Sequence, residues 1–261
     1  MIEWVLAGLA AVVAGAVNAV AGGGTLITFP TLTALGVPTV SANITNTVAL
    51  CPGYFGGAVA QRADLEDQRA RVRRLLGAAA VGGLAGSVLL VISSESLFRA
   101  LVPYLILGAT ALLALQDRLR SWFRIGVPRG TTAPDTDLVA PTPHRDPRWL
   151  PVPVFVVAVY GGYFGAGLGI MLLAVLGLMI HEPLNRLNAL KQVLSLVINV
   201  VAAIFFVFSG KVYWGFAVAM AIGSLVGGNL GGRLAHRLDP KVLRVVVVIF
   251  GTIVGIVYLV K

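Results

Sequence analysis

Apolar residues fall in eight runs, at 4–36, 42–60, 75–92, 97–116, 150–180, 189–208, 212–232 and 241–260. Six of these have the length of one membrane-spanning helix, for which about 20 mostly apolar residues suffice. The other two, 4–36 and 150–180, are too long for one untilted span, and both are interrupted by glycine: AGGGT at Ala21–Thr25 and GGYFGAGLG at Gly161–Gly169. Glycine weakens a helix interior and admits backbone geometries that other residues resist. Each long run is therefore predicted to be a helix, a break and a short second helix, the latter starting near Thr25 and near Ile170. Between the runs lie polar stretches at 61–74, 93–96 and 117–149. The stretch Glu66–Arg74 reads either as an amphipathic interfacial turn or as plain loop. The stretch 117–149 holds five prolines (Pro128, Pro134, Pro141, Pro143, Pro147) and six arginines, and it reads as an irregular linker.

The two breaks occupy corresponding places. At an offset of 145, Ala21, Gly22 and Gly24 match Ala166, Gly167 and Gly169, and Pro38, Asn43 and Val48 match Pro183, Asn188 and Val193. Further on the offset becomes 141, where Gly82-x-x-x-Gly86 answers Gly223-x-x-x-Gly227. The chain thus divides into a first membrane repeat at 1–116, a cytoplasmic linker at 117–149 and a second membrane repeat at 150–261.

Basic residues set the orientation. Segment 61–74 carries five arginines and 117–149 six, and 233–244 holds Arg233, Arg237, Lys241 and Arg244. The turns at 37–41 and 93–98 carry none, and 209–211 has Lys211 alone. With the rich segments in the cytoplasm, 150–180 must begin and end on the same side, as a hairpin, and by the repeat so must 4–36. Each half then has a hairpin and three crossings, and an odd number inverts the second half. Eight simple spans with parallel repeats would instead put Arg233, Arg237 and Lys241 outside, against the charge bias. The expected fold is an all-α integral membrane protein of two inverted halves, each with a glycine-broken helical hairpin and three transmembrane helices. Lys211 and both termini are expected outside, and Arg69, Arg120 and Arg237 inside.

Composition agrees: 57% of the residues are hydrophobic and 12% charged, against about 25% charged in soluble domains. The net charge of +9 sits in short loops, not in a basic stripe with interleaved aromatics, so no nucleic-acid partner is expected. The segment before Val20 has no basic leader region, carries Glu3 and is long for a signal core, so it reads as a retained membrane segment. Cys51 is the single cysteine, and His144, His181 and His236 are scattered. Neither a disulfide nor a metal site is expected, and no cofactor.

The paired breaks are the strongest pointer to chemistry, because exposed backbone inside a membrane must line a protected cavity. The short helices would present unpaired N–H groups and positive dipole ends near the midplane, which suits a small anion. The candidate binding residues are Gly22, Gly23, Gly24 and Thr25 at the first break, with Asn18 one turn before it, and Gly165, Gly167 and Gly169 at the second. Asn43 and Asn46 open the following helix in the first half, together with Thr45 and Thr47. Asn188, Lys191, Gln192 and Ser195 open its counterpart and, with Asn199, form one polar stripe at helical spacing. The glycines would equally serve close helix packing, the asparagines interhelical hydrogen bonding, and Lys191 anchoring at the interface. No carboxylate lies deep in an apolar run, which argues against enzymatic hydrolysis or magnesium-dependent transfer. Ser209-Gly210-Lys211 lacks the first glycine of a P-loop, and Gly165-x-Gly167 lacks the third glycine of a dinucleotide motif.

At the segments AGAVNAVAGGGTLITFPTLTALGVP, ANITNTVALCPGYFGG, GGYFGAGLGIMLLAVLG, LNALKQVLSLVINVVAAIFFVFSGKVYW and GSLVGGNLGGRLA, the chain resembles the sulfite exporter TauE/SafE family, also described as the toluene-sulfonate uptake permeases. The likeness covers nearly everything outside 117–149. It implies a multi-pass protein of the bacterial inner (plasma) membrane with a duplicated four-segment unit, moving sulfur-containing anions such as sulfite or a sulfonate. The residues alone give a small anionic substrate within a lipid bilayer; sulfur comes from the resemblance. Secondary transport is the expected mode, with a passive anion channel and a non-transporting scaffold as alternatives. A homo-oligomer is compatible with the sequence.

Overall fold

The computed structural model describes residues 2–20, 22–65, 67–123, 146–180, 182–234 and 240–260. Within them run ten α-helices: α1 (Ile2–Val20), α2 (Thr25–Ala34), α3 (Thr39–Ala60), α4 (Arg69–Ile92), α5 (Glu95–Phe123), α6 (Pro151–Tyr163), α7 (Leu168–Met179), α8 (Leu184–Val207), α9 (Trp214–Leu234) and α10 (Pro240–Val260). A short 3-10 helix, Arg62–Leu65, precedes α4. Both long apolar runs are broken at their glycines, and α7 begins at Leu168, two residues before the expected Ile170. The helix α5 continues to Phe123, into the stretch read as linker. The rest of that linker up to residue 145, all three histidines and Arg237 lie outside the described residues.

Five of the described helices are long and apolar enough to cross a membrane. The helix α3 is as long but carries Ser41, Asn43, Thr45, Asn46 and Thr47. Asn43, Thr45, Asn46 and Thr47 are buried, so the polar side chains of α3 face protein, where they are tolerated.

Glycine sets how closely the helices approach. Along α1 and α9, Gly8 faces Ala219, Val12 faces Gly227 and Ala16 faces Gly231, so the two run parallel with backbones in contact. Along α4 and α6, Gly82 faces Phe155 and Gly86 faces Val159, again parallel. A Cβ on Gly82 would lie 2.6 Å from the Phe155 carbonyl oxygen. The two glycine pairs matched at an offset of 141 thus do the same work in each half. Such approach is the main source of helix association in lipid, where apolar burial between helices gives little.

The packing of one half is mirrored in the other: α1 on α9 by α6 on α4, α3 on α9 by α8 on α4, and α2 on α10 by α7 on α5. Helices that correspond to each other also meet, α3 with α8 and α5 with α10, and both pairs run antiparallel. Gly57 faces Gln192 while the Tyr54 hydroxyl meets the Asn199 amide; Thr110 faces Gly251 while Leu107 faces Gly255.

One end of the bundle is tied across the halves by polar contacts. Arg71, in the first turn of α4, donates Nε to Asp146 (2.6 Å) and a terminal nitrogen to Glu182 (3.2 Å), which also pairs with Arg186. Nearby, Asn188 donates to Gln61 (2.6 Å), Gln68 donates to the Arg186 carbonyl (3.1 Å) and Asn185 donates to Asp64. At the opposite end the links are uncharged: Tyr213 N–H donates to the Thr45 hydroxyl (3.0 Å), and the Thr33 and Tyr258 hydroxyls bond to each other.

Candidate functional site

The first break follows directly from α1. Gly22 adopts φ 85°, in the left-handed region where glycine has no steric cost, and its N–H returns to the Val17 carbonyl (2.9 Å). The Asn18 side chain accepts from the Gly24 N–H (2.7 Å), which satisfies one donor that the start of α2 would otherwise leave open. The chain then doubles back. Leu6 and Ala10 of α1 share a cleft wall with Pro30, Thr31 and Ala34 of α2, so α2 runs back beside α1.

The second break uses two left-handed glycines, Gly165 (φ 76°) and Gly167 (φ 74°). Tyr160 donates its hydroxyl to the Ala166 carbonyl (2.6 Å), and Asn43 of the other half donates to the Tyr163 carbonyl at the end of α6 (2.8 Å). The helix α7 then packs with α6 in one apolar cluster, Leu168, Leu172 and Leu176 against Val154, Val157 and Ala158. Phe164 in this break lies 5.4 Å, centroid to centroid, from Phe29 of α2, edge to face, which ties the second break to the first hairpin.

The two breaks meet. A Cβ on Gly22 would lie 3.0 Å from the Gly169 Cα, and one on Gly169 would lie 3.1 Å from the Gly22 Cα. The Lys191 side chain lies along this junction, its Cδ 3.4 Å from that same Gly169 position, and it is only 1% exposed. One residue on, Gln192 is packed against Gly57. Both its amide atoms are buried without a hydrogen-bond partner, as are the Ser195 hydroxyl and Asn43 Oδ1.

Lys191 and its counterpart Asn46 differ in surroundings as well as in charge. Asn46 accepts from Thr28 and donates to Thr25 (3.4 Å), both on α2. On α7 the corresponding residues are Ile170 and Leu173.

Of the residues singled out from sequence, the fold brings Gly22, Gly169 and Lys191 together, with Thr25 and Asn46 paired across α2 and α3 and Gln192 set against Gly57 of α3. Others stand apart. Gly23 faces Leu113 and Val247, Gly165 faces the Gly161 carbonyl, Gly167 packs on Ala109, and Asn188 pairs with Gln61 in the cross-tied end. Asn18 and Gly24 bond to each other, and Asn43 is engaged at α6. Sequence reading passed over Thr28 and Gly57. Thr28 lies one turn after Thr25, a spacing that could have signalled a shared face; the place of Gly57 against Gln192 depends on the α3–α8 packing and had no local sign.

The profile of the family described as "Sulfite exporter TauE/SafE" matches residues 7–258. The chain is similar to a probable membrane transporter protein, YfcA, of Escherichia coli strain K12, at 23% identity over 94% of this chain and 85% of that protein. It is also similar to a probable membrane transporter protein of Haemophilus influenzae, at 28% identity over 82% of this chain and 77% of the relative, and to one named ORF9 from a Sinorhizobium species, at 24% identity. No solved structure matches. The chain belongs to the sulfite exporter TauE/SafE family of multi-pass membrane transporters.

Proposed function

We propose that the protein is a secondary transporter of a small anion, bound where the two breaks meet, in the bacterial inner membrane. The observation that carries this is the Lys191 side chain, buried at the Gly22–Gly169 junction. A buried cation is costly unless compensated, and an anion at the junction would add to that compensation. The unpartnered Gln192 amide and Ser195 hydroxyl supply further donors on the same stripe. The family description favours a sulfur-containing anion, sulfite or a sulfonate. A passive anion channel is the second reading.

Inverted halves are part of the proposal. Corresponding helices that pack antiparallel, as α3 with α8 and α5 with α10, are related by a two-fold axis perpendicular to them. In a membrane that axis lies in the bilayer plane, the arrangement of many alternating-access carriers. Positive-inside counting puts the Arg71 end in the cytoplasm. After replacement of Cys51, a single cysteine at Lys211 is expected to label from outside and one at Arg69 only after permeabilisation. The reverse pattern would overturn the orientation, and equal access for both would overturn the inversion.

Lys191→Gln is the direct test of the site. It removes the charge while keeping a flexible polar side chain one atom shorter, and should weaken anion binding by about 1.5–3 kcal/mol, roughly 10- to 150-fold. Binding is read by thermal shift across sulfite, thiosulfate, sulfonates and carboxylates, and flux in reconstituted vesicles. Affinity unchanged at unchanged stability would remove Lys191 from the site. Flux that only dissipates an imposed gradient would support the channel instead of the carrier.

A further inference from the structure

The helices α1 and α10 flank α2 and leave a cleft of about 1000 Å³ between them, separate from the junction of the breaks. Leu6 of α1 and Ile253 and Val257 of α10 form its walls, and Pro30 and Ala34 of α2 its floor. Leu6 and Ile253 are 50% and 57% exposed, so the cleft opens sideways toward the lipid. At one end it reaches the turn Gly36–Thr39 and Arg99, in the second turn of α5. Arg99 is the only charged residue among those described that line it. The carboxylate nearest in sequence, Glu95, is held at the same rim by the start of α3, accepting from the Thr39 hydroxyl and from the Val40 N–H (3.3 Å).

We propose that this cleft binds one anionic phospholipid, with an acyl chain along α2 and α10 and the phosphate at Arg99. Arg99 stands where α3 and α5 begin, at the bundle end, where a headgroup would lie. From there α10 lines the cleft from Tyr258 back to Phe250, eight residues or about 12 Å. That is most of one leaflet's hydrocarbon depth, about 15 Å for a core of about 30 Å. An acyl chain gains little by exchanging lipid neighbours for apolar side chains. Selectivity must therefore come from the cation at the rim acting together with the shape of the trough. An amphiphile with one anionic head matches both, while a neutral lipid matches only the trough and a free phosphate only the cation.

Native mass spectrometry of the full chain in a maltoside detergent, titrated with phosphatidylglycerol, tests this. One lipid should be retained per chain. Arg99→Gln should lower its apparent affinity about ten-fold, since one charged contact is lost. Ala34→Trp, at an exposed position on the cleft floor, should abolish retention by filling the trough. Diacylglycerol and inorganic phosphate should each bind far more weakly than phosphatidylglycerol. Diacylglycerol binding as tightly as phosphatidylglycerol would overturn the headgroup assignment, and undiminished retention in Ala34→Trp would overturn the cleft. A dimer that Ala34→Trp converts to monomer, with no effect of phosphatidylglycerol, would assign the cleft to a second copy of the chain and overturn the proposal.

Discussion

Gly227→Val is expected to abolish accumulation of folded protein in the membrane, while Gly77→Val leaves yield and Tm near those of the parent. A Cβ at 227 would run into the Val12 carbonyl, which is backbone and can give way only by moving α1 as a whole. Displacing α1 would also loosen the contacts of Gly8 with Gly223 and of Ala16 with Gly231, because all lie along one parallel seam. Overpacking a single core site costs typically about 1–3 kcal/mol, and a valine here loads several close approaches at once. At Gly77 an added Cβ meets nothing within 4 Å. The readouts are the yield of monodisperse protein after detergent extraction and its Tm. Parent-like values for Gly227→Val would mean that the α1–α9 seam is not what holds the bundle together.

Gly169→Val is expected to eliminate substrate binding and flux. Its Cβ would approach the Gly22 Cα to 3.1 Å and the Lys191 Cδ to 3.4 Å, and the two further carbons of valine would have to part the breaks. Where geometry must match a ligand, a misplacement of about 1 Å costs roughly 100-fold, so loss of about that size or more is anticipated. Gly169→Ala, needing a shift of a few tenths of an ångström, should show an intermediate loss. Gly108→Val, in open space on α5, serves as the control. Full binding by Gly169→Val with a parent-like Tm would move the site away from the junction. Position 23 is not the place for this test, because its side chain would enter the apolar contact with Leu113 and Val247.

Much of this was legible in the chain because a membrane imposes simple rules. Spans declare themselves by length and apolarity, and glycine clusters at matched positions declare breaks. The GxxxG pairs at 82–86 and 223–227 were visible as small residues one turn apart, and they are the helix contacts. Even the slip in offset from 145 to 141 has a local cause. It falls between α3–α4 and α8–α9, where the first half inserts the 3-10 helix Arg62–Leu65 and the second half makes a tighter turn. What could not be read was the direction in which each candidate points. Asn43 and Asn188 correspond in sequence, yet one bonds to the Tyr163 carbonyl and the other to Gln61. Their partners are fixed by how the halves interlock, which leaves no trace in local spacing. The extent of α5 was missed for a different reason. Arg118 and Arg120 are polar but are good helix formers, so loss of apolarity marked the end of the apolar span and not of the helix.

Among the described residues, the ion pairs at the Arg71 end have no charged counterpart at the other. The position matching Arg71 is Val212, and that matching Glu182 is Val37. In the carrier cycle proposed above, where inverted halves would exchange shapes, the α3–α8 and α5–α10 contacts, Tyr54 with Asn199 and Thr110 with Gly251, would persist while the ends trade places. The conformer closed at the Arg71 end keeps its ion pairs; the exchanged conformer closes on valine and gains none. If the protein works as the inverted carrier proposed above, the two conformers sit at unequal depth, and the one with its basic end shut is the more stable. Salt weakens ion pairs that retain some solvent contact, as these do at 15–19% exposure, so rising ionic strength on that side would draw the resting population toward the other conformer.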